Sequence, residues 1–243
     1  MINRDLPRVD IKGDVFIVDL NAGGLRNSED PANILRFTDM IEQPGAVLKF
    51  FEQGEMPLKR FFYDATKKEI ATIPDSCEKL PPGICYMEIL TENLLDPAGE
   101  LLKRGTDISG LPPEQLKSWF HLAHEIPHFS IDDERDFLVD TARGEIYQVS
   151  DSTNKIDFAN VLPIRSMNLM CFTMDAKGRL LDRPIEEATM DDKIVFIPRL
   201  DQLDPIGFMR ATGDFAALFK HAKTTEKMNR VVQPTAQKNG RKL

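Results

Sequence analysis

Three of the chain's four histidines, His121, His124 and His128, fall within eight residues, and His124-Glu125-Ile126-Pro127-His128 spells His-Glu-x-x-His. On a helix that spacing puts two imidazoles one turn apart on one face. There they can hold a zinc ion while the glutamate acts as general base. The chemistry implied is that of a zinc-dependent hydrolase, with His124 and His128 as ligands, His121 as a further donor and Glu125 as the base.

Pro127 cuts across this reading. Its ring removes a helical hydrogen bond, clashes with the carbonyl of Ala123 and biases Ile126 away from helical angles. A helix opening at Pro112-Pro113 is therefore expected to end near Glu125, with His128 entering the strand-like run "HFSID". In helical projection Leu116, Trp119, Phe120, Leu122, Ala123 and Ile126 form one apolar sector, while His121 and Glu125 point away from it. The run "FSIDDERDF" lacks the Gly-and-His extension of the metzincins, leaving Glu134 or Glu145 as the third donor. The expectation is no catalytic or metal residue, with the imidazoles serving a helix end. Zinc is the alternative, including an irregular site should the chain turn back at Pro127.

The other acidic groups suggest turns. "IDDERDF" lacks the spacing of a calcium loop, and Asp19, Asp64, Asp140 and Asp175 each end an apolar run, where aspartate bonds the backbone two residues on. Nucleophile elbows, phosphate-cradling loops and dinucleotide fingerprints are absent from the sequence. The formal charge of −8 hides an asymmetry, because residues 219–243 hold seven Lys/Arg against Glu226 alone. Lys220, Lys223, Lys227 and Arg230 recur at helical spacing. They form a candidate stripe for nucleic acid or an acidic protein partner.

The elements that must position these groups are mostly hairpins. Apolar runs that end at aspartate and restart after a short polar turn begin at Phe16, Phe61, Asn93, Asp136 and Cys171. Their irregular spacing argues against a repeat protein. "KIVFIPRL" from Lys193 adds a strand. Three helices are expected: one capped by Ser28 through "EDPANILRFTDMIEQ" with Ile34, Phe37 and Ile41 on a face, one from Pro112-Pro113, and one from Thr212-Gly213-Asp214. Without a strict βαβ rhythm this favours an α+β fold of hairpin-rich antiparallel sheets. Turn formers at 105–111 divide it into 1–108 and 109–218, two halves or one continuous domain, with 219–243 as a basic helix end and loose tail.

Cys77, Cys85 and Cys171 form no C-x-x-C pair and suit a reducing compartment. No stretch is long and apolar enough for a signal-peptide core or a membrane span, so a cytoplasmic location is expected. The segments "LPRVDIKGDVFIVDLNAGGLRNSEDPANILRFTDM" and "VFIPRLDQLDPIGFMRATG" resemble an uncharacterised bacterial family with an N-terminal Leu-Pro strand and hairpin and a late Leu-Asp-Pro-x-Gly element. That resemblance implies a bacterial cytosolic setting and no chemistry. The functional expectation is a non-enzymatic cytoplasmic binding or accessory protein, using its hairpin loops and basic C-terminal segment on a protein partner.

Overall fold

The structure is a computed structural model that describes residues 4–47, 55–110, 120–164 and 166–212. Short antiparallel strands dominate it, as the hairpin pattern requires. The first four, β1 (Arg8–Ile11), β2 (Asp14–Asp19), β3 (Gly24–Asn27) and β4 (Ile34–Arg36), form a meander. A second sheet holds β5 (Ile41–Val47), β6 (Glu55–Asp64), β7 (Glu69–Ala71) and β8 (Ile84–Leu90), followed by two short helices, α1 (Glu92–Leu95) and α2 (Pro97–Lys103). After β9 (Phe120–Leu122) and β10 (His124–Ile126) the plan recurs. The meander β11 (His128–Ile131), β12 (Arg135–Asp140), β13 (Glu145–Gln148) and β14 (Lys155–Asp157) is followed by the sheet β15 (Leu162–Ile164), β16 (Leu169–Met174) and β17 (Lys193–Pro198). Then come α3 (Leu200–Leu203) and α4 (Pro205–Thr212).

The recurrence extends to the register of individual pairs. Val9 faces Phe16 and Phe129 faces Phe137; Val18 faces Leu25 and Val139 faces Ile146; Leu25 faces Leu35 and Ile146 faces Ile156. In the second sheets, Ile41–Arg60 matches Leu162–Cys171, and Phe61–Met87 matches Phe172–Val195. Loop hydrogen bonds repeat as well: Phe37 N–H donates to Gly23 O at 3.0 Å and Phe158 N–H to Gly144 O at 2.8 Å. Both acceptor glycines have positive φ, +71° and +72°, where a side chain would be strained. The chain thus contains two copies of one structural unit.

Each unit buries its own core between its two sheets. Val9, Phe16, Val18 and Leu25 meet Phe61, Tyr63 and Met87 in the first; Phe137, Val139 and Ile146 meet Phe172, Val195 and Ile197 in the second. Each such side chain contributes roughly 1.5–3 kcal/mol on burial. Period-two alternation fixes which residues point inward.

Several expected helices differ. The segment 28–42 forms no α-helix, only a 3-10 turn at Phe37–Asp39 between strands: Leu35 and Phe37 are buried while Ile41 is 56% exposed, a pattern that coincides by chance with helical spacing at Ile34, Phe37 and Ile41. "NLLDPAGELLK" forms α1 and α2 instead of a hairpin, because Asp96 accepts a hydrogen bond from Gly99 N–H and caps a helix with Pro97 in its first turn. The helix expected from Thr212-Gly213-Asp214 lies, beyond Thr212 at the end of α4, outside the described residues. No helix among the described residues is long and apolar enough to cross a membrane.

Candidate functional site at the junction of the units

The described part of the His-Glu-x-x-His region is extended. β9 runs parallel to β1 and β10 antiparallel to β8, so this link adds one strand to each sheet of the first unit before entering the second. The helix expected to reach Glu125 is absent from 120–126; residues 111–119 are outside the described set. The ladders offered by β1 and β8 are remote in sequence, and they override the local apolar spacing.

Strand alternation then separates the motif's residues. His124 points inward and is 4% exposed, with Nδ1 3.3 Å from Glu88 Oε1 and Nε2 2.8 Å from Asp204 Oδ1. Glu125 is half-buried near the surface and accepts a hydrogen bond from Lys12 Nζ at 2.5 Å, which holds the Lys12 ammonium above its usual range. His128 is exposed on β11, opposite Leu138, and His121 lies on β9 beside Val9. The three imidazoles are not gathered at one point. Among the described residues no group of three His, Cys, Asp or Glu side chains is arranged to hold a metal ion.

His124 instead belongs to a buried polar chain between the units. From the first unit, the Arg60 guanidinium donates to Glu88 Oε2 through Nε at 2.9 Å and Nη2 at 2.6 Å. It reaches across to Asp140 of the second unit through Nη1, and through Nη2 at 3.0 Å. His124 then links Glu88 to Asp204, whose other oxygen accepts from Thr141 Oγ1 at 2.7 Å. None of these six side chains is more than 9% exposed. Burial works against the charge of Arg60, but its hydrogen bond to Asp140 and the nearby carboxylates outweigh it and raise its pKa. Both ring nitrogens of His124 face carboxylate oxygens, and only an imidazolium donates to both at once.

Tyr86, Ile126, Leu138 and Tyr147 pack around this chain as a separate apolar cluster joining the units. Burial pushes both tyrosine hydroxyls above their usual range. The arrangement is buried. Its chemical capacity is to fix one unit against the other.

Repetition explains the motif itself. Arg4-Asp5-Leu6-Pro7-Arg8 stands in the first unit where His124-Glu125-Ile126-Pro127-His128 stands in the second: Pro7 O accepts Val18 N–H at 2.9 Å and Pro127 O accepts Val139 N–H at 2.9 Å. Arg4 grips Asp96, Nη1 to Oδ1 at 2.7 Å and Nη2 to Oδ2 at 2.5 Å, as His124 grips Asp204. Both aspartates cap the helix that follows, accepting from Gly99 N–H at 3.0 Å and Gly207 N–H at 2.8 Å. A Cβ at either glycine would overlap the capping carboxylate, which accounts for Leu-Asp-Pro-x-Gly appearing at 95–99 and again at 203–207.

The sequence reading missed Arg60, Glu88, Asp140 and Asp204 as a group. The signal that could have found them is this repeated pentapeptide, read together with Pro7 and Pro127. Lys220, Lys223, Lys227 and Arg230 lie outside the described residues. Compared with known protein families, curated proteins and solved structures, the chain matches none.

Proposed function

We propose that the chain is a non-catalytic cytoplasmic binding or accessory protein in which two fused units, the halves 1–108 and 109–218 with the link 120–126 lent to the sheets of the first, present hairpin loops to a partner. In this reading the His-Glu-x-x-His segment is a structural latch. The observation that carries it is the engagement of both His124 nitrogens by Glu88 and Asp204, at the position where the first unit uses Arg4 on Asp96. A metal at His124 would have to displace those contacts, whereas Arg4 performs the same clasp with no capacity to ligate zinc.

The competing reading, a zinc hydrolase using His124, His128 and Glu125, gives different outcomes in one experiment. Untagged protein and its His124→Ala, Glu125→Gln and His128→Ala variants are assayed for bound zinc, peptide and ester hydrolysis, and unfolding midpoint. The latch expects a lowered midpoint for His124→Ala alone and no zinc-dependent turnover in any protein. Stoichiometric zinc with turnover lost in all three variants and an unchanged midpoint would replace it with the hydrolase.

A further inference from the structure

The two units differ at one set of equivalent surface positions. In the first unit Lys68 Nζ lies 2.6 Å from Asp14 and 3.7 Å from Glu29, and Asp14 also accepts from Tyr63 Oη at 2.9 Å. The place is filled by ion pairs made within the unit. In the second unit the strand register puts Arg135 where Asp14 stands, since Ile131–Arg135 is the pair that matches Ile11–Asp14. Gly178 takes the place of Lys68: both have positive φ, and their carbonyls accept from the equivalent Asn154 and Asn33 side chains. Ser150 takes the place of Glu29. One acid has become a cation, another a hydroxyl, and the lysine has lost its side chain.

What results is an open cleft of about 540 Å³ lined by Arg135, Gln148, Ser150, Lys177 and Arg179 among others. The Nη1 end of the Arg135 guanidinium lies against Gly178, where a Cβ would overlap it, so the glycine leaves room for the cation in this position. Its Nε is 3.6 Å from Glu78, which is itself largely exposed. Among the described residues Lys177 and Arg179 have no carboxylate within ion-pair distance.

The floor is ordered by Asn154 Nδ2 donating to Gln148 Oε1 at 2.7 Å and Gln148 Nε2 donating to Ser150 Oγ at 2.8 Å. The Ser150 oxygen is thereby an acceptor, and its own proton is free to be donated. Asp151 is turned to its own loop, accepting from Thr153 N–H and Oγ1, which lowers its pKa.

We infer that this cleft binds an oxyanion, specifically a phosphate group carried on a small polar molecule. Three cationic side chains against Glu78 and Asp151 give the lining a positive balance within a chain whose formal charge is −8. Guanidinium groups match phosphate oxygens in forked pairs, with a hydroxyl donor beneath. The lining has no aromatic ring, so a nucleobase would find no stacking surface. The first unit, with its cation already neutralised, has no such affinity. The inference deepens the binding reading by naming a ligand class, and its failure would leave the latch at His124 untouched.

The test titrates the full chain with inorganic phosphate, pyrophosphate and a hexose phosphate, and with citrate as a carboxylate control. Binding is followed by calorimetry and by the amide shifts of Ser150, Gly178 and Arg179. The phosphate probes are expected to shift those amides saturably, less so as salt rises. Arg135→Gln with Arg179→Gln should weaken binding at least about tenfold without moving the melt. Arg135→Asp with Ser150→Glu and Gly178→Lys, which installs the first unit's ion pairs, should abolish binding. No saturable shift at tens of millimolar phosphate, citrate binding in place of phosphate, or unchanged affinity in the double variant would each overturn the inference.

Discussion

The first and second units share the register of every ladder compared above yet solve their polar problems differently, and the difference separates scaffold from specialisation. What is common is apolar alternation, the turn glycines Gly23 and Gly144, and the Leu-Asp-Pro-x-Gly cap; these are what the fold requires. What differs lies at the faces. Arg60 and Glu88, on the face of the first unit that meets the second, stand where the second unit has Cys171 and Phe196. Asp140 takes Arg60 from across the junction, while its counterpart Asp19 is served by Arg26 of its own unit at 3.2 Å. Charge has been placed where one unit must recognise the other.

That comparison breaks most visibly at Arg60. Arg60→Leu takes the guanidinium from two carboxylates that are each 1% exposed, leaving Asp140 without its cation and Glu88 with His124, and should cost about 3–5 kcal/mol in denaturant unfolding. A cost below about 1 kcal/mol would show the pair to be dispensable.

The two caps sharpen it. Asp204→Ala removes a cap, the partner of Thr141 and one of the two carboxylates at His124, for about 3 kcal/mol; Asp96→Ala removes a cap, but Arg4, 14% exposed, can turn to water, for about 1–2 kcal/mol. Equal losses would deny the junction its special role.

Phe196→Lys, at the position matching buried Glu88, should change stability by no more than about 0.5 kcal/mol, because Phe196 is 53% exposed. A large loss would mean that this face is covered.

Smallest in energy is thiol labelling at pH 8. Burial pushes the Cys85 thiol up to about 11 and raises that of Cys171, so only the half-buried Cys77 should react before unfolding. Labelling of Cys85 at the rate of Cys77 would show the first core to be open.

Much of the sheet architecture was legible because it is local. Asp19, Asp64, Asp140 and Asp175 end apolar runs, and each accepts backbone N–H groups of the turn that follows. The helices were less legible, for a chemical reason: Asp-Pro-x-Gly suits a turn and a helix N-terminus equally, and what decides at Asp96 is its own cap bond, with Arg4 held against it from 92 positions away.

The repeat escaped because irregular turn spacing hides it. The first unit's turn after Asp64 has one more residue before the positive-φ position, Lys68, than the second has between Asp175 and Gly178. The meaning of His124 was likewise not local. Pro127 correctly argued against a continuous helix, but nothing within the segment names Glu88 or Asp204 as its partners.

The central claim is that His-Glu-Ile-Pro-His performs the architectural task of Arg-Asp-Leu-Pro-Arg. It is tested most directly by carrying the first unit's wording into the second through His124→Arg, Glu125→Asp, Ile126→Leu and His128→Arg, then following unfolding by two probes. The account predicts one cooperative transition, with a midpoint within a few degrees of the parent and above that of His124→Ala. Collapse of the transition, or two separate ones, would contradict it.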